Sequence, residues 1–327
     1  MTDIFNFFGS ILGYLLWFFY LIVKNYGVAI VLFTVVVKLL LFPFSVKQQR
    51  SMAATAKLSL KQKELQKKYA KDKQKMQEET QKLYASEGVN PMGGCTTMFL
   101  PFLVMFGLYY TVLNPLANAL HLSSDSITKA LDMLSHVPGL GSSYNTAYAQ
   151  IDIVSNFAAL KGPLVNIFSA GDMAKLESFS HGFMFLGLDL LQTPSDPSNI
   201  FGTLFRTNLW LIPMGCLLSS ILAQYFTMKM QPGMQQQQGC MKATFYLMPL
   251  ISVWFACTVP AAVGFYWIIS TITGFLQTVV LNIWFSPDDL NAQAEARRVA
   301  RLETEEAALK PMTFRREAAP EPQKKRK

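Results

Sequence analysis

Lys38 stands inside an apolar run from Tyr26 to Phe44. At roughly 1.5 Å of rise per residue, such a run is about long enough to cross a bilayer. A charge inside a span is costly and usually functional, although a lysine this close to Lys47 and Arg50 also has the bland option of snorkelling to the headgroups. Thr34 lies one turn away on the same face. Two further apolar segments carry polar side chains at helical spacing: Ser219, Ser220 and Gln224 in one, Ser270, Thr273 and Gln277 in the other. Taken singly, a serine or threonine in such a helix bonds its own backbone and is structural. A cation and two glutamines on separate apolar helices suit a wet cavity in the inner half of the membrane.

The chemistry such a set excludes is equally informative. No aligned acids, histidine relay or second intramembrane charge accompany Lys38, which argues against a proton-coupled pump or an ion filter. Cys95, Cys216, Cys240 and Cys257 sit in or beside apolar segments without disulfide or zinc spacing, and His121, His136 and His181 are scattered over one polar region. No nucleophile–base set or phosphate loop occurs. No catalytic residue, metal site or cofactor is expected, and the chain does not read as an enzyme.

The elements that must position these residues follow from composition. A chain of 327 residues with 51% hydrophobic and 15% charged residues and a mean hydropathy of +0.25 is a membrane protein with polar loops. Its expected class is an all-α polytopic membrane protein with a five-transmembrane-helix bundle. Residues 1–25 place Asn6, Ser10, Gly13, Trp17, Tyr20 and Lys24 on one helical stripe, which favours an interfacial amphipathic helix over a span; the start lacks the basic residues of a signal peptide. Spans are expected at 26–45, 93–117, 206–228, 243–259 and 260–285, the last two hinged at Val259-Pro260.

Between the first two spans, residues 46–92 hold eleven Lys or Arg against five acids and read as an antiparallel helical hairpin. It breaks at Tyr69-Ala70-Lys71-Asp72, with Asp72 as the second N-cap. Residues 118–205, with seven acids and three lysines, read as irregular structure with short helices. Residues 229–242 are a polar connector. Residues 286–327, a basic tail ending Lys324-Lys325-Arg326-Lys327, read as disordered.

Charge sets the orientation. The hairpin, the 229–242 loop and the tail carry eleven, two and ten Lys or Arg, whereas the opposite side carries Lys24 and three lysines with Arg206 at its border. The positive-inside rule therefore puts the N-terminus outside and the C-terminus in the cytoplasm.

The order of motifs is specific. Val37-Lys38-Leu39-Leu40-Leu41-Phe42-Pro43 is followed by Gln48-Gln49-Arg50-Ser51-Met52, a charged hairpin, and Val89-Asn90-Pro91-Met92-Gly93-Gly94-Cys95. Last come Met248-Pro249-Leu250 and Val259-Pro260-Ala261-Ala262-Val263-Gly264-Phe265-Tyr266-Trp267. This succession, over Phe5–Leu116 and Leu209–Phe285, resembles the YidC-type membrane protein insertases of the Oxa superfamily.

The resemblance implies a bacterial cytoplasmic-membrane protein whose five helices enclose a hydrophilic groove, open to the cytoplasm and to lipid, closed outside, with the hairpin over its mouth. It implies a substrate groove of Lys38, Thr34, Ser220, Gln224, Trp267, Ser270, Thr273 and Gln277. Lys38 takes the place of the family's usual groove arginine, giving up a bidentate fork for a hydrated point charge. Residues 118–205 form a longer outer region than such insertases usually carry.

The expected function is non-enzymatic. Nascent membrane protein clients enter the groove, their acidic outer-going segments are held by Lys38, and their apolar helices leave into lipid. Burial of roughly 20 apolar residues drives that last step. Membrane lipids are partners, the ribosome and Sec translocon are candidate ones, and the basic hairpin or tail is a candidate rRNA contact. The alternatives are a small-solute channel or transporter, and a membrane-embedded assembly chaperone or scaffold.

Overall fold

The structure, a computed structural model, describes residues 2–70, 72–86, 104–137, 148–196, 198–230 and 240–308. Its described elements are almost all helical, with a single two-stranded hairpin among them.

Helix α1 (Thr2–Val23) ends where Lys24 takes a left-handed φ of 53°, and Asn25 caps α2 (Tyr26–Leu40) by accepting a 3.1 Å bond from the Val28 amide. The two helices pack against each other. The middle of the stripe expected on α1, Ser10, Gly13, Trp17 and Tyr20, is turned onto protein, whereas Lys24 is exposed. Tyr20 is buried, Gly9 and Gly13 lie against Gly107 and Asn118, and the Thr111 hydroxyl donates 2.8 Å to the Gly9 carbonyl. The exposed face is the apolar one, with Ile11, Tyr14, Phe18, Leu21 and Ile22. Glycines here let two backbones approach closely, as small residues do at helix contacts in lipid.

The stretch 26–45 is not one straight span. Helix α2 stops at Leu40 and α3 (Phe42–Lys68) starts at a 57° bend. Pro43 explains it, because its ring removes a helix donor and crowds the carbonyl four residues back. After α3 the chain turns at residues 69–72 into α4 (Lys73–Ser86), which contacts α3, and Asp72 Oδ1 accepts 3.0 Å from the Lys75 amide as its N-cap role requires. Residues 87–103, with Cys95 and the Pro101 position, lie outside the described residues; helix α5 is seen over Val104–Leu113.

A π-helical turn, Pro115–Ala119, then leads into a small domain inserted between α5 and the next long apolar helix. Its helices are α6 (Ser124–Ser135), α7 (Ala149–Ser155), α8 (Phe157–Leu164) and α9 (Ala170–Ser180). Strands β1 (Met184–Phe185) and β2 (Leu188–Asp189) pair antiparallel, Met184 with Asp189, before the short α10 (Ile200–Thr203). The domain shares one apolar core with the spans. Tyr20 and Tyr26 meet Phe179 and Phe183 in edge-to-face and tilted pairs, and the Tyr26 amide donates 2.8 Å to the Gly182 carbonyl. Short helices were the expectation for this region. That they pack over the junction of α1 and α2 is what the structure adds.

Among the described residues two helices, Asn208–Met230 and Ala261–Trp284, are long and apolar enough to cross a membrane, and the bent pair α2–α3 adds a third candidate. The first contains α11 (Leu211–Met230); α12 (Cys240–Thr258) and α13 (Ala261–Trp284) break at Val259-Pro260, as the sequence predicts. Helices α11 and α13 run parallel. Ile212 meets Gly264, Ile268 meets Gly215, and the rings of Phe226 and Phe275 form a tilted pair with centroids 5.6 Å apart, in the same order along both helices.

The break itself is held from outside. The amides of Ala261 and Ala262, uncapped by any side chain, donate to the carbonyls of Gln192 (2.9 Å) and Leu190 (2.8 Å). The Cys257 carbonyl accepts from the Ser195 amide and hydroxyl, and the Thr258 carbonyl from the Tyr148 hydroxyl. Helix ends leave such groups orphaned, so the strap 190–196 completes both helices at once.

Past α13 the tail departs from expectation: it is helical over Pro287–Ala308 (α14) and packs along α3. Ser286 caps it through the Asp289 amide, Asp288 and Asp289 favour its N-terminus, and Leu290 is buried. High charge did not prevent order because one anchoring leucine and a cap suffice to start a helix of strong formers. Residues 309–327, including Lys324–Lys327, and the glutamine-rich loop 231–239 lie outside the described residues.

Candidate functional site

Between α2–α3 and α13 runs a ladder of polar positions. At the top, Thr34, Lys38 and Ser270 line one small cavity with Val37, Leu41, Val104 and Tyr266. One turn on, the Lys38 ammonium lies against Gly274, where an added Cβ would stand 3.4 Å from Nζ. Beyond the bend, Gln277 Nε2 donates 2.7 Å to the Ser45 hydroxyl, and Gln49 Nε2 reaches Asn282 Oδ1 at 3.5 Å. The pairs 34/270, 38/274, 45/277 and 49/282 ascend together, so α2–α3 and α13 also run parallel.

Local sequence explains each rung. Thr34, 1% exposed, gives its hydroxyl to the Ile30 carbonyl at 2.7 Å, so it contributes an oxygen to the wall without an unpaired donor. Ser270, Gly274 and Gln277 fall at i, i+4 and i+7 on α13. Phe33 and Tyr266, ring centroids 6.5 Å apart, pack the two helices together just above. The cavity holds about 20 Å³, enough for about one water. Among the described residues Lys38 makes no ion pair, and its half-buried side chain lines this water-sized, mostly apolar space together with the oxygens of Thr34 and Ser270.

The other expected groove residues are elsewhere. Thr273 spends its hydroxyl on the Ile269 and Ser270 carbonyls at 2.7 and 3.2 Å, and Trp267 accepts from Thr271 through its carbonyl. Both are half-buried on α13. Ser220 and Gln224 are half-buried on α11 and do not line this cavity. The structure thus gathers Thr34, Lys38 and Ser270, with Gln277 two turns along the same seam, and leaves Ser220, Gln224, Trp267 and Thr273 off it. Ser45, Gln49, Tyr266, Gly274 and Asn282 were missed. Their signal was the spacing 38, 45, 49 against 274, 277, 282, which becomes legible once the two helices are known to be parallel.

A model of the family described as 60Kd inner membrane protein matches residues 18–288. The chain belongs to this family. The match takes in α2, the bend, the ladder and the whole of α13, so the geometry above lies within the family's shared part. Relatives of the chain include the "Membrane protein insertase YidC 2" of Listeria innocua, 26% identical over 95% of this chain and 81% of its own length. The "Membrane protein insertase YidC" of Caldanaerobacter subterraneus subsp. tengcongensis is 45% identical over 30% of this chain and 48% of its own, and that of Nitratidesulfovibrio vulgaris 46% over 30% and 18%. The matched segments therefore span less than half of these last two relatives.

Proposed function

We propose that the protein is a membrane protein insertase of the bacterial cytoplasmic membrane, taking nascent clients into the polar seam between α2–α3 and α13 and releasing their apolar helices into lipid. The observation that carries this reading is Lys38, a cation in the apolar helix α2 that lines a small cavity with Thr34 and Ser270 and lies against Gly274 of the apolar helix α13. An acidic client segment held partway across has less low-dielectric path left, and the attraction acts where water is scarce. No reaction is catalysed.

Five crossings, N-terminus outside and C-terminus inside, are the topology that fits. The common direction of α2, α11 and α13 favours an odd number of crossings from the first to the last. The strap 190–196 over the α12–α13 break supports a groove closed on the outer side, which disfavours a through-pore for small solutes. Helices α3 and α4, basic and on the inner side in this topology, would lie at the groove mouth, with α14 braced against α3. Ribosome, rRNA and Sec translocon contacts, if made, fall on this inner side.

The test is insertion into vesicles holding the purified protein. A client with a short acidic outer segment should become protease-protected without nucleotide. Equal protection in empty vesicles would end the proposal.

A further inference from the structure

The approach to α11 is unusual for a surface segment. Asn199 caps α10 through the Gly202 amide at 3.1 Å, and two 3-10 turns, Leu204–Arg206 and Asn208–Trp210, continue into the span. Phe201 is 93% exposed and Phe205 69%, the latter with its ring 6.0 Å from Trp210. Leu209 is buried beneath them, so the segment is anchored by one apolar residue while two large aromatic rings point away from protein.

A second, independent feature lies next to it. The turn between β1 and β2 is Leu186-Gly187 with φ of 51° and 78°, the left-handed pair of a type I′ hairpin. Glycine or asparagine normally takes the first of these places, because a leucine there pays for its Cβ. Here Leu186 is 85% exposed. Strand β2 contacts the Asn208–Trp210 turn, so the hairpin tip and the two phenylalanines flank one entry point of a candidate span.

We propose that Leu186, Phe201 and Phe205, with Arg206 among them, form an interfacial foot that rests in the headgroup layer of the lipid leaflet. The surface is continuous with the apolar face of α11, where Leu211, Met214 and Leu218 are exposed for lipid. Aromatic rings are favoured at that depth, and Arg206, exposed and next to Phe205 in the chain, matches phospholipid phosphate. The occupant is therefore lipid, not a client or a second protein. This goes beyond insertion, and needs only that α11 crosses the membrane. The foot holds the outer domain flush with the bilayer, which keeps the strap 190–196 over the α12–α13 break.

The experiment uses the full chain in a background without the four native cysteines, carrying Phe201→Cys, Leu186→Cys or, as the distant exposed control on α6, Lys129→Cys. Each is labelled with bimane and reconstituted in phosphatidylglycerol–phosphatidylcholine vesicles, and circular dichroism verifies the fold. Headgroup-proximal doxyl lipid should quench positions 201 and 186 severalfold more than 129, and aqueous iodide should show the reverse order. Quenching at 201 and 186 that matches 129 with both agents overturns the proposal, including the case in which a protein partner covers the patch in cells. Neither result depends on insertase activity.

Discussion

The Gln277 amide donates a 2.7 Å hydrogen bond to the Ser45 hydroxyl, tying α13 to α3 one turn past the bend at Leu41. That bond bridges the two sides of the seam two turns past Lys38, so it sets the distance between α3 and α13 there. Ser45 also bonds the Leu41 carbonyl at 3.3 Å and has the geometry to accept and donate at once. A double-mutant cycle of Ser45→Ala and Gln277→Ala should give a coupling of about 0.5–1.5 kcal/mol in thermal or denaturant unfolding in detergent. Strict additivity of the two changes would show that the bond is not made.

Lys38 is expected to act by charge. Lys38→Arg should retain insertion, and Lys38→Ala should slow clients in proportion to the acidity of their outer segment, by about tenfold for a loss of about 1.4 kcal/mol. The measurement is protease protection across a client series of graded acidity. Equal insertion by Lys38→Glu and the unchanged protein would remove the charge from the mechanism.

Gly274 tests where that charge must stand. A Cβ there would sit at ordinary contact distance from Nζ, so Gly274→Ala should be tolerated, whereas Gly274→Leu fills the space and pushes the ammonium off α13. The leucine variant should insert acidic clients as poorly as Lys38→Ala. Combining the two should add little more, because both act on one group. Full additivity would separate the glycine from the lysine.

Much of this was legible in the sequence, for identifiable reasons. The 3.6-residue spacing of Ser270, Thr273 and Gln277, the proline at Val259-Pro260 and the Asp72 cap are local signals, and local signals survive without a fold. Lys38 announced itself by charge. Its partners did not, because Gly274 and Ser45 matter only through where α13 lies against α2 and α3, a relation between residues more than 200 positions apart. The same holds for the tail. Its composition speaks for disorder, but Leu290, Ser286 and a docking face on α3 order its first part. Gln224 illustrates the converse: a polar residue at the right depth on α11, outside the cavity that holds Lys38.

The outer domain should be acid-sensitive through His121. Its ring stacks on Tyr14 at 3.4 Å, Nε2 is buried without a partner among the described residues, and burial, then the Lys175 ammonium, hold its pKa below the usual 6.5. A folded pKa below the unfolded one gives stability that is complete above about 6.5 and is lost as pH falls through that value towards the folded one. Melting of the protein should therefore fall between pH 7.5 and 5.5, a window above ordinary carboxylate titration. His121→Asn keeps a residue tolerant of the φ of 51° and should flatten that slope. An unchanged slope in the variant would assign the sensitivity to another group.

The strap offers the sharpest separation of outer domain from seam. Ser195 is buried and donates its hydroxyl at 2.8 Å to the Cys257 carbonyl, which also accepts the Ser195 amide at 3.2 Å. Ser195→Ala removes one of two donors and leaves the backbone bond, so the expected loss is about 1 kcal/mol, close to that of one buried hydrogen bond. Ser195→Pro removes the amide instead and restricts the strap's backbone, and should cost more. If the strap keeps the α12–α13 break in place, both variants should loosen the outer ends of these helices, with faster amide exchange at Ala261 and Ala262. The rate at Leu281, on the far side of the seam, should be unchanged. Exchange that accelerates uniformly along α13 would mean that the serine supports the fold as a whole and that the break needs no clamp.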